Sequence, residues 1–199
     1  SGIAEGIDCH AVKGALKGGG PVVSVLAGGV DVPFPREHRY LYEDVAAAGA
    51  LISEHPPGTP HKGSHFSQRN RIISGLSLGV LAVEGRKKSG TMLTMNHAME
   101  QDRDIFAVPG PLDAPLSEGT NYLIQQGAKL VTCGGDILSE YWARFPRRLA
   151  ASAPLTPEAA QARLDSLAQD REEKRRTDPA LEEVPSREFI PRSGQRERF

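Results

Sequence analysis

Residues 21–54, PVVSVLAGGVDVPFPREHRYLYEDVAAAGALISE, decide the fold class. The apolar run PVVSVLA (21–27) has the length of a buried strand, and Gly28 and Gly29 end it. Residues 36–48 read as a helix, Gly49 follows where a helix C-cap glycine belongs, and ALISE (50–54) is a second strand. A strand, a helix and a strand in so short a span form a parallel pair joined by a crossover helix. The pattern continues on both sides. Upstream, Asp8 is placed to cap a helix that reaches about Leu16. Downstream, helices over 67–76, 91–101, 117–126 and 136–144 alternate with strands LGVLAVE (78–84), DIFAVP (104–109) and KLVT (129–132). Five strands in one open, mainly parallel sheet flanked by helices make the class α/β.

With 199 residues the chain can bury one core and carry a tail. Residues 1–146 hold the apolar runs. Beyond Arg147 those runs vanish and charges of both signs crowd together, so 147–199 is expected to be a mostly disordered tail. Within it TPEAAQARLDSLAQDREEKRR (156–176) could form a solvated helix, though its apolar positions are mostly alanine. The opening SGIAEGID reads as a turn entering a helix with no strand before it, as if the first βα unit were missing.

The net charge of -1 advertises no polyanion partner, so any nucleic-acid site must be a local basic patch. Cys9 and Cys133 have neither CxxC nor metal-ligand spacing and suit two reduced thiols in a cytoplasmic protein. No apolar run approaches the roughly 20 residues that a membrane span needs.

In an open parallel sheet, ligands bind beyond the carboxyl ends of the strands, where helix N-termini aim N–H groups at anions. Four loops there have unusual content. SGIAEGID offers Gly2 and Gly6 for close backbone approach, or is an ordinary glycine-rich turn. AGGVDVPFPREH (27–38) is stiffened by Pro33 and Pro35, which could be merely structural. PPGTPHKGSHFSQRNRII (56–73) is the most informative, because it brings Lys62, His65, Phe66, Arg69 and Arg71 close together. Cations neutralise phosphates and an aromatic face accepts any base, which suits a single strand without sequence preference. The same residues also fit a solvated loop followed by a core phenylalanine, and composition does not choose between the two. His55, His61 and His65 lack a carboxylate or thiolate in matching spacing and do not read as a metal site. In VEGRKKSGTMLT (83–94), Ser89, Gly90 and Thr91 open a helix beside Arg86, Lys87 and Lys88, an anion cradle or a plain N-cap.

SGIAEGID, VLAGGVDVPFPREHRYL, GALISEHPPGTP, FSQRNRIISGLSLGVLAVEGRKKSGTMLT and FAVPGPLDAPLSEGTNYLIQQGAKLV resemble the DprA/Smf family in order and spacing, over about residues 1–138. The resemblance implies a Rossmann-like fold. It also implies a cytoplasmic homodimer that binds single-stranded DNA, protects it during natural transformation and loads RecA, with no catalytic residue, cofactor or metal. Carried over by position, the DNA pocket takes Lys62 and Phe66 from the loop and Arg69 and Arg71 from RNRII, with Asn70 fixing the loop by hydrogen bonds. Ser1, Gly2 and Gly6 border the same pocket, and Ser89, Gly90 and Thr91 form the opposite rim. The dimer segment falls on Asn121, Ile124 and Leu130. Two departures stand out: the family's first strand with its Gly-Ser-Arg turn would precede Ser1, and the tail lacks the apolar periodicity of a winged-helix domain.

The competing enzyme reading is a nucleoside-monophosphate phosphoribohydrolase on a related fold. It needs a Pro-Gly-Gly-x-Gly-Thr loop with a downstream Glu. Here GRKKSGTMLT puts lysines where the double glycine belongs, and only Glu84 and Glu100 keep that reading open. A pure scaffold would leave the basic loop without a role.

Overall fold

A computed structural model describes residues 1–151 and 156–177. In chain order the elements are α1 (Ile7–Lys17), β1 (Val23–Leu26), a 3-10 turn (Arg36–His38), α2 (Arg39–Ala48), β2 (Ala50–Ser53), α3 (Gly63–Gly75) and β3 (Gly79–Ala82). They continue with α4 (Gly90–Glu100), β4 (Asp104–Ala107), α5 (Glu118–Gln125), β5 (Lys129–Leu130), α6 (Gly134–Tyr141), α7 (Pro146–Ala151) and α8 (Pro157–Thr177). All pairing is parallel, and helices flank the strands, so the α/β class and the open parallel arrangement hold.

The strands do not form one five-membered sheet. β1 pairs with β2, whereas β3, β4 and β5 form a second ladder. Along the edge of β1 away from β2 lies Ser1: its ammonium donates to Val23 O (3.3 Å) and its carbonyl accepts from Val25 N–H (3.0 Å). Each ladder has its own core. Ile3, Cys9, Val12, Leu16, Val22, Leu26, Leu41, Tyr42 and Val45 fill the first, between α1, α2 and β1. Ala82, Met92, Met95, Ala107 and Leu123 fill the second, between α4, α5 and their strands. Helix α3 joins the halves, packing on β1 and on α4. At its C-terminus Ser74 Oγ donates to Gln101 Oε1 (2.6 Å), Gln101 Nε2 to Arg71 O (2.9 Å) and Arg103 Nη2 to Gly75 O (2.9 Å). These bonds bring the C-terminal ends of α3 and α4 together, so both helices present their N-termini at the same end of the molecule.

Three local expectations change. Gly49 does follow α2, but its φ of -167° is ordinary extended backbone. Glycine is required there because a Cβ would stand 1.9 Å from Val22 O, where the chain turns into β2 against the start of β1. Asp8 does not cap α1; Gly6 is the N-cap residue, with φ +87°, and Asp8 lies in the first turn. The Asp8 carboxylate instead accepts from Gly2 N–H (3.2 Å) and Ala4 N–H (3.4 Å), tying down the entry loop. Helix α3 begins at Gly63, so Lys62 is its N-cap and Phe66 lies in its first turn, not in the loop. Pro60 is the last residue that blocks a helix, and nothing after it does.

Over 157–177 the expected disordered tail is instead α8, packed on α1 and α2. Leu164 and Leu167, one helical turn apart, lie against the first core. One turn further, Arg171 reaches the buried Asp44: Nε stands 3.3 Å from Oδ1 and Nη1 donates to Oδ2 (3.4 Å). Two leucines and an arginine on an otherwise small and charged helix make a narrow docking face. The remainder of the expected tail, 152–155 and 178–199, lies outside the described residues, and α7 runs across the expected boundary at 146.

Candidate functional site

Beyond the carboxyl ends of β1 and β2, the two following loops are bonded to each other. Gly29 N–H donates to Thr59 O (2.9 Å), Gly58 N–H to Asp31 Oδ1 (2.7 Å), and Ser53 Oγ to Gly28 O (2.7 Å). The proline and glycine content that rules out helix and strand here yields a loop pair with satisfied backbone groups. Tyr42 OH donates to Phe34 O (3.2 Å) and accepts from Phe34 N–H (3.1 Å), fixing the backbone of Phe34 above α2.

The rings then assemble. Phe34 stacks on His61 with centroids 5.0 Å apart, Phe66 meets Phe34 edge-on at 5.5 Å, and His61 and Phe66 lie 5.8 Å apart. Beside them His55 stacks on His65 at 4.1 Å, and His65 Nδ1 donates to Ala27 O (3.0 Å). Burial draws the His61 imidazole below its ordinary value, and the neighbouring Arg69, His65 and His55 add to the effect.

The cations divide into three kinds. Lys62 is exposed at the N-cap of α3. Arg71 is exposed but paired with Glu54 at 2.5 Å. Arg69 points inward: 6 % exposed, it donates through Nη1 to Gly2 O (3.2 Å) and to Val25 O, and its guanidinium carbon lies 5.7 Å from the centre of the Phe66 ring. Burial lowers its pKa, which Asp8 and Tyr42 oppose. Arg69 therefore supports the site from below, where its expected role had been a direct DNA contact. Asn70 does not hold the loop through its side chain; its main-chain carbonyl accepts from Ser74 Oγ (3.3 Å) within α3, and among the described residues its amide makes no hydrogen bond.

Of Ser1, Gly2 and Gly6, only Gly2 meets this assembly through Arg69, as one of its acceptors; Ser1 lies along β1 and Gly6 is the N-cap of α1. Ser89, Gly90 and Thr91 open α4 at the carboxyl end of β3. Ser89 Oγ donates to Arg86 O (2.8 Å) and Thr91 Oγ1 to Glu84 O (3.3 Å), which folds the basic loop over the helix start. These residues lie at the N-terminus of α4, the helix packed against α3.

The three expected dimer residues separate. Asn121 clamps the Pro-Gly-Pro loop, donating to Gly110 O (2.9 Å) and accepting from Gly110 N–H (3.2 Å). Ile124 is half-buried and packs against the second core. Leu130, on the edge strand β5, is 45 % exposed.

Sequence reasoning missed a thiol and an imidazole 29 residues apart: Cys9 Sγ lies 2.9 Å from His38 Nδ1 and also donates to Ala4 O (2.9 Å). Burial first, then the Asp8 carboxylate, pushes the Cys9 thiol up, which favours its protonated form. Both cysteines are unpaired. Reading by residue also missed Phe34 and His61 as partners of Phe66; the only signal was an aromatic residue between two prolines in a post-strand loop.

The profile of the DNA recombination-mediator protein A family matches residues 1–142. The DNA processing protein DprA of Streptococcus pneumoniae is 43% identical over 141 residues, which are 71% of this chain and 50% of that protein. Its crystal structure superposes with a TM-score of 0.66 at 42% identity, covering 70% of this chain and 49% of that one. DNA processing protein A of Helicobacter pylori, whose structure describes a single-stranded DNA binding mode, has a TM-score of 0.65 at 24% identity over 72% of this chain and 65% of that one, a likeness of fold. The chain spans about half the length of the curated relatives it matches.

Proposed function

The chain belongs to the DNA recombination-mediator protein A family, and on that premise we propose that it is a non-catalytic, cytoplasmic binding protein that protects single-stranded DNA and passes it to RecA as a homodimer. The observation that carries the binding role is the Phe66 ring, lying over the buried guanidinium of Arg69 and one helical turn from the exposed Lys62. Lys62 neutralises a phosphate, Phe66 stacks under a base, and the first N–H groups of α3 and α4 face the backbone of the strand. Arg71 joins when a phosphate displaces Glu54. The fold shared with the Helicobacter pylori protein is consistent with this role.

The chemistry of the side chains supports a reading without turnover. Burial raises the pKa of Cys9, the thiol beside the His38 imidazole, and Glu84 stands in a basic loop without the double glycine of a phosphoribohydrolase. Incubation with AMP should release no more ribose 5-phosphate than a Glu84→Gln control.

Anisotropy with a labelled oligothymidylate and with a duplex of equal length tests the proposal. Single strands should bind more tightly, with affinity falling steeply as salt rises, by a logarithmic slope of roughly 0.7 per phosphate contact. Equal affinity for both forms, or indifference to salt, refutes it.

A further inference from the structure

The site contains more aromatic surface than one base requires. Phe34 remains 46 % exposed, although its backbone is fixed at both polar groups by Tyr42 and its ring is stacked on His61. Single exposed apolar residues are common and need no explanation. This one belongs to a prebuilt assembly: two rings on loops that are bonded to each other and a third in the first turn of α3, with centroids between 5.0 and 5.8 Å apart. Fixing a ring before a ligand arrives removes the entropy that a loose side chain would lose on stacking.

We propose that Phe34, backed by His61, is a second base-stacking surface next to Phe66, so that the site takes two consecutive bases of a single strand. This inference rests on the single-strand reading above and extends it. The Phe34 ring supplies the outer face and His61 braces it from behind. Burial, with Arg69 beside it, lowers the His61 pKa, which favours the neutral imidazole that packs as an aromatic ring. Lys62 follows His61 directly in the chain and places a cation where the phosphate between the two bases would run. Stacking does not read sequence, because every base has a π-face, so the preference is for unpaired bases of any kind.

Binding of an oligothymidylate and of an abasic oligomer of equal length separates stacking from phosphate contact. Phe34→Ala should weaken oligothymidylate binding roughly 5- to 150-fold and leave the abasic oligomer and the salt slope unchanged. Phe34→Tyr, which keeps the ring, should bind like the unaltered protein; Phe34→Leu, which keeps the bulk without the π-face, should bind like the alanine variant. The Leu and Tyr pair decides the matter even if the alanine variant folds poorly. Normal oligothymidylate binding by Phe34→Leu, alongside a loss in Phe66→Ala, overturns the second surface while leaving the single-strand reading intact. An equal loss on both oligomers shows Phe34 to be a loop support and also overturns the inference. Failure of the unaltered protein to bind oligothymidylate removes both readings together.

Discussion

A Cβ placed on Gly2 would stand 1.9 Å from Nη1 of Arg69, so the guanidinium occupies the space that a side chain at position 2 would need. The two residues specify each other: glycine admits the arginine, and the arginine bonds the glycine carbonyl and Val25 O on the edge of β1. Arg69→Leu leaves those carbonyls without their donor and should lower stability by about 1 to 3 kcal/mol. Denaturant melts would detect the loss, and the salt slope of DNA binding should stay as it was. A shallower slope with unaltered stability would return Arg69 to the phosphates. Gly2→Ala should destabilise through the same contact.

Lys62 and Phe66 should fail in different ways. Lys62→Ala should shallow the salt dependence by about 0.7 in slope, the share of one phosphate contact. Phe66→Ala should cost on the order of 1 to 3 kcal/mol of binding with the slope nearly unchanged. Titrations of oligothymidylate at several salt concentrations check both, and full affinity in both variants would mean that the strand binds elsewhere.

Helix α8 should matter to the fold and not to the ligand. Leu167→Asp puts a charge against the first core and should lower stability by about 1 to 2 kcal/mol, the scale of a half-buried leucine. Arg171→Ala should also destabilise by leaving the buried Asp44 carboxylate without its cation, within the limit set by protonation of a group whose pKa burial already raises. DNA affinity should remain within about threefold in both, roughly 0.7 kcal/mol. A larger loss of affinity would give α8 a part in binding.

His61 sets a pH dependence with a definite sign. Its folded-state value lies below the ordinary 6.5, so the unfolded chain takes up the proton first as pH falls. Its contribution to stability is therefore complete above about 6.5, declines below that, and levels off under the folded value. Comparing urea midpoints at about pH 7.5 and about pH 5.5, His61→Phe should narrow the gap shown by the unaltered protein. An equal gap in both would place the pH response on other groups.

The proposed dimer is best tested at Leu130. Because Ile124 packs on the monomer core, an arginine there would disturb folding and assembly together. Leu130→Arg puts an unpaired charge on an exposed edge and should dissociate a dimer built on that edge with little change in melting temperature. Light scattering that shows the variant still dimeric would place the interface elsewhere.

The strands and most helices were legible because short runs rich in Val, Ile, Leu and Ala alternate with longer amphipathic stretches. The start of α3 was hidden because the prolines before it look like a loop that extends to Phe66. Helix α8 could be read as a helix, but its docking was hidden because the docking face consists of two leucines and one arginine. At the site, Lys62 and Phe66 could be read from residue type and proximity. The inward turn of Arg69 could not, since it depends on a glycine 67 residues away. Nor could the stacking of Phe34 on His61, which exists only because two loops from different strands meet.

The separation of the strands into β1–β2 and β3–β4–β5 also governs how the backbone meets solvent over time. No ladder hydrogen bond links the two sets among the described residues, so opening one does not require opening the other. Deuterium uptake should accordingly divide into two protection classes that follow the two ladders. Amides of α3, which is packed on β1 and latched to α4 through Ser74 and Gln101, should then be released only when the two halves part company.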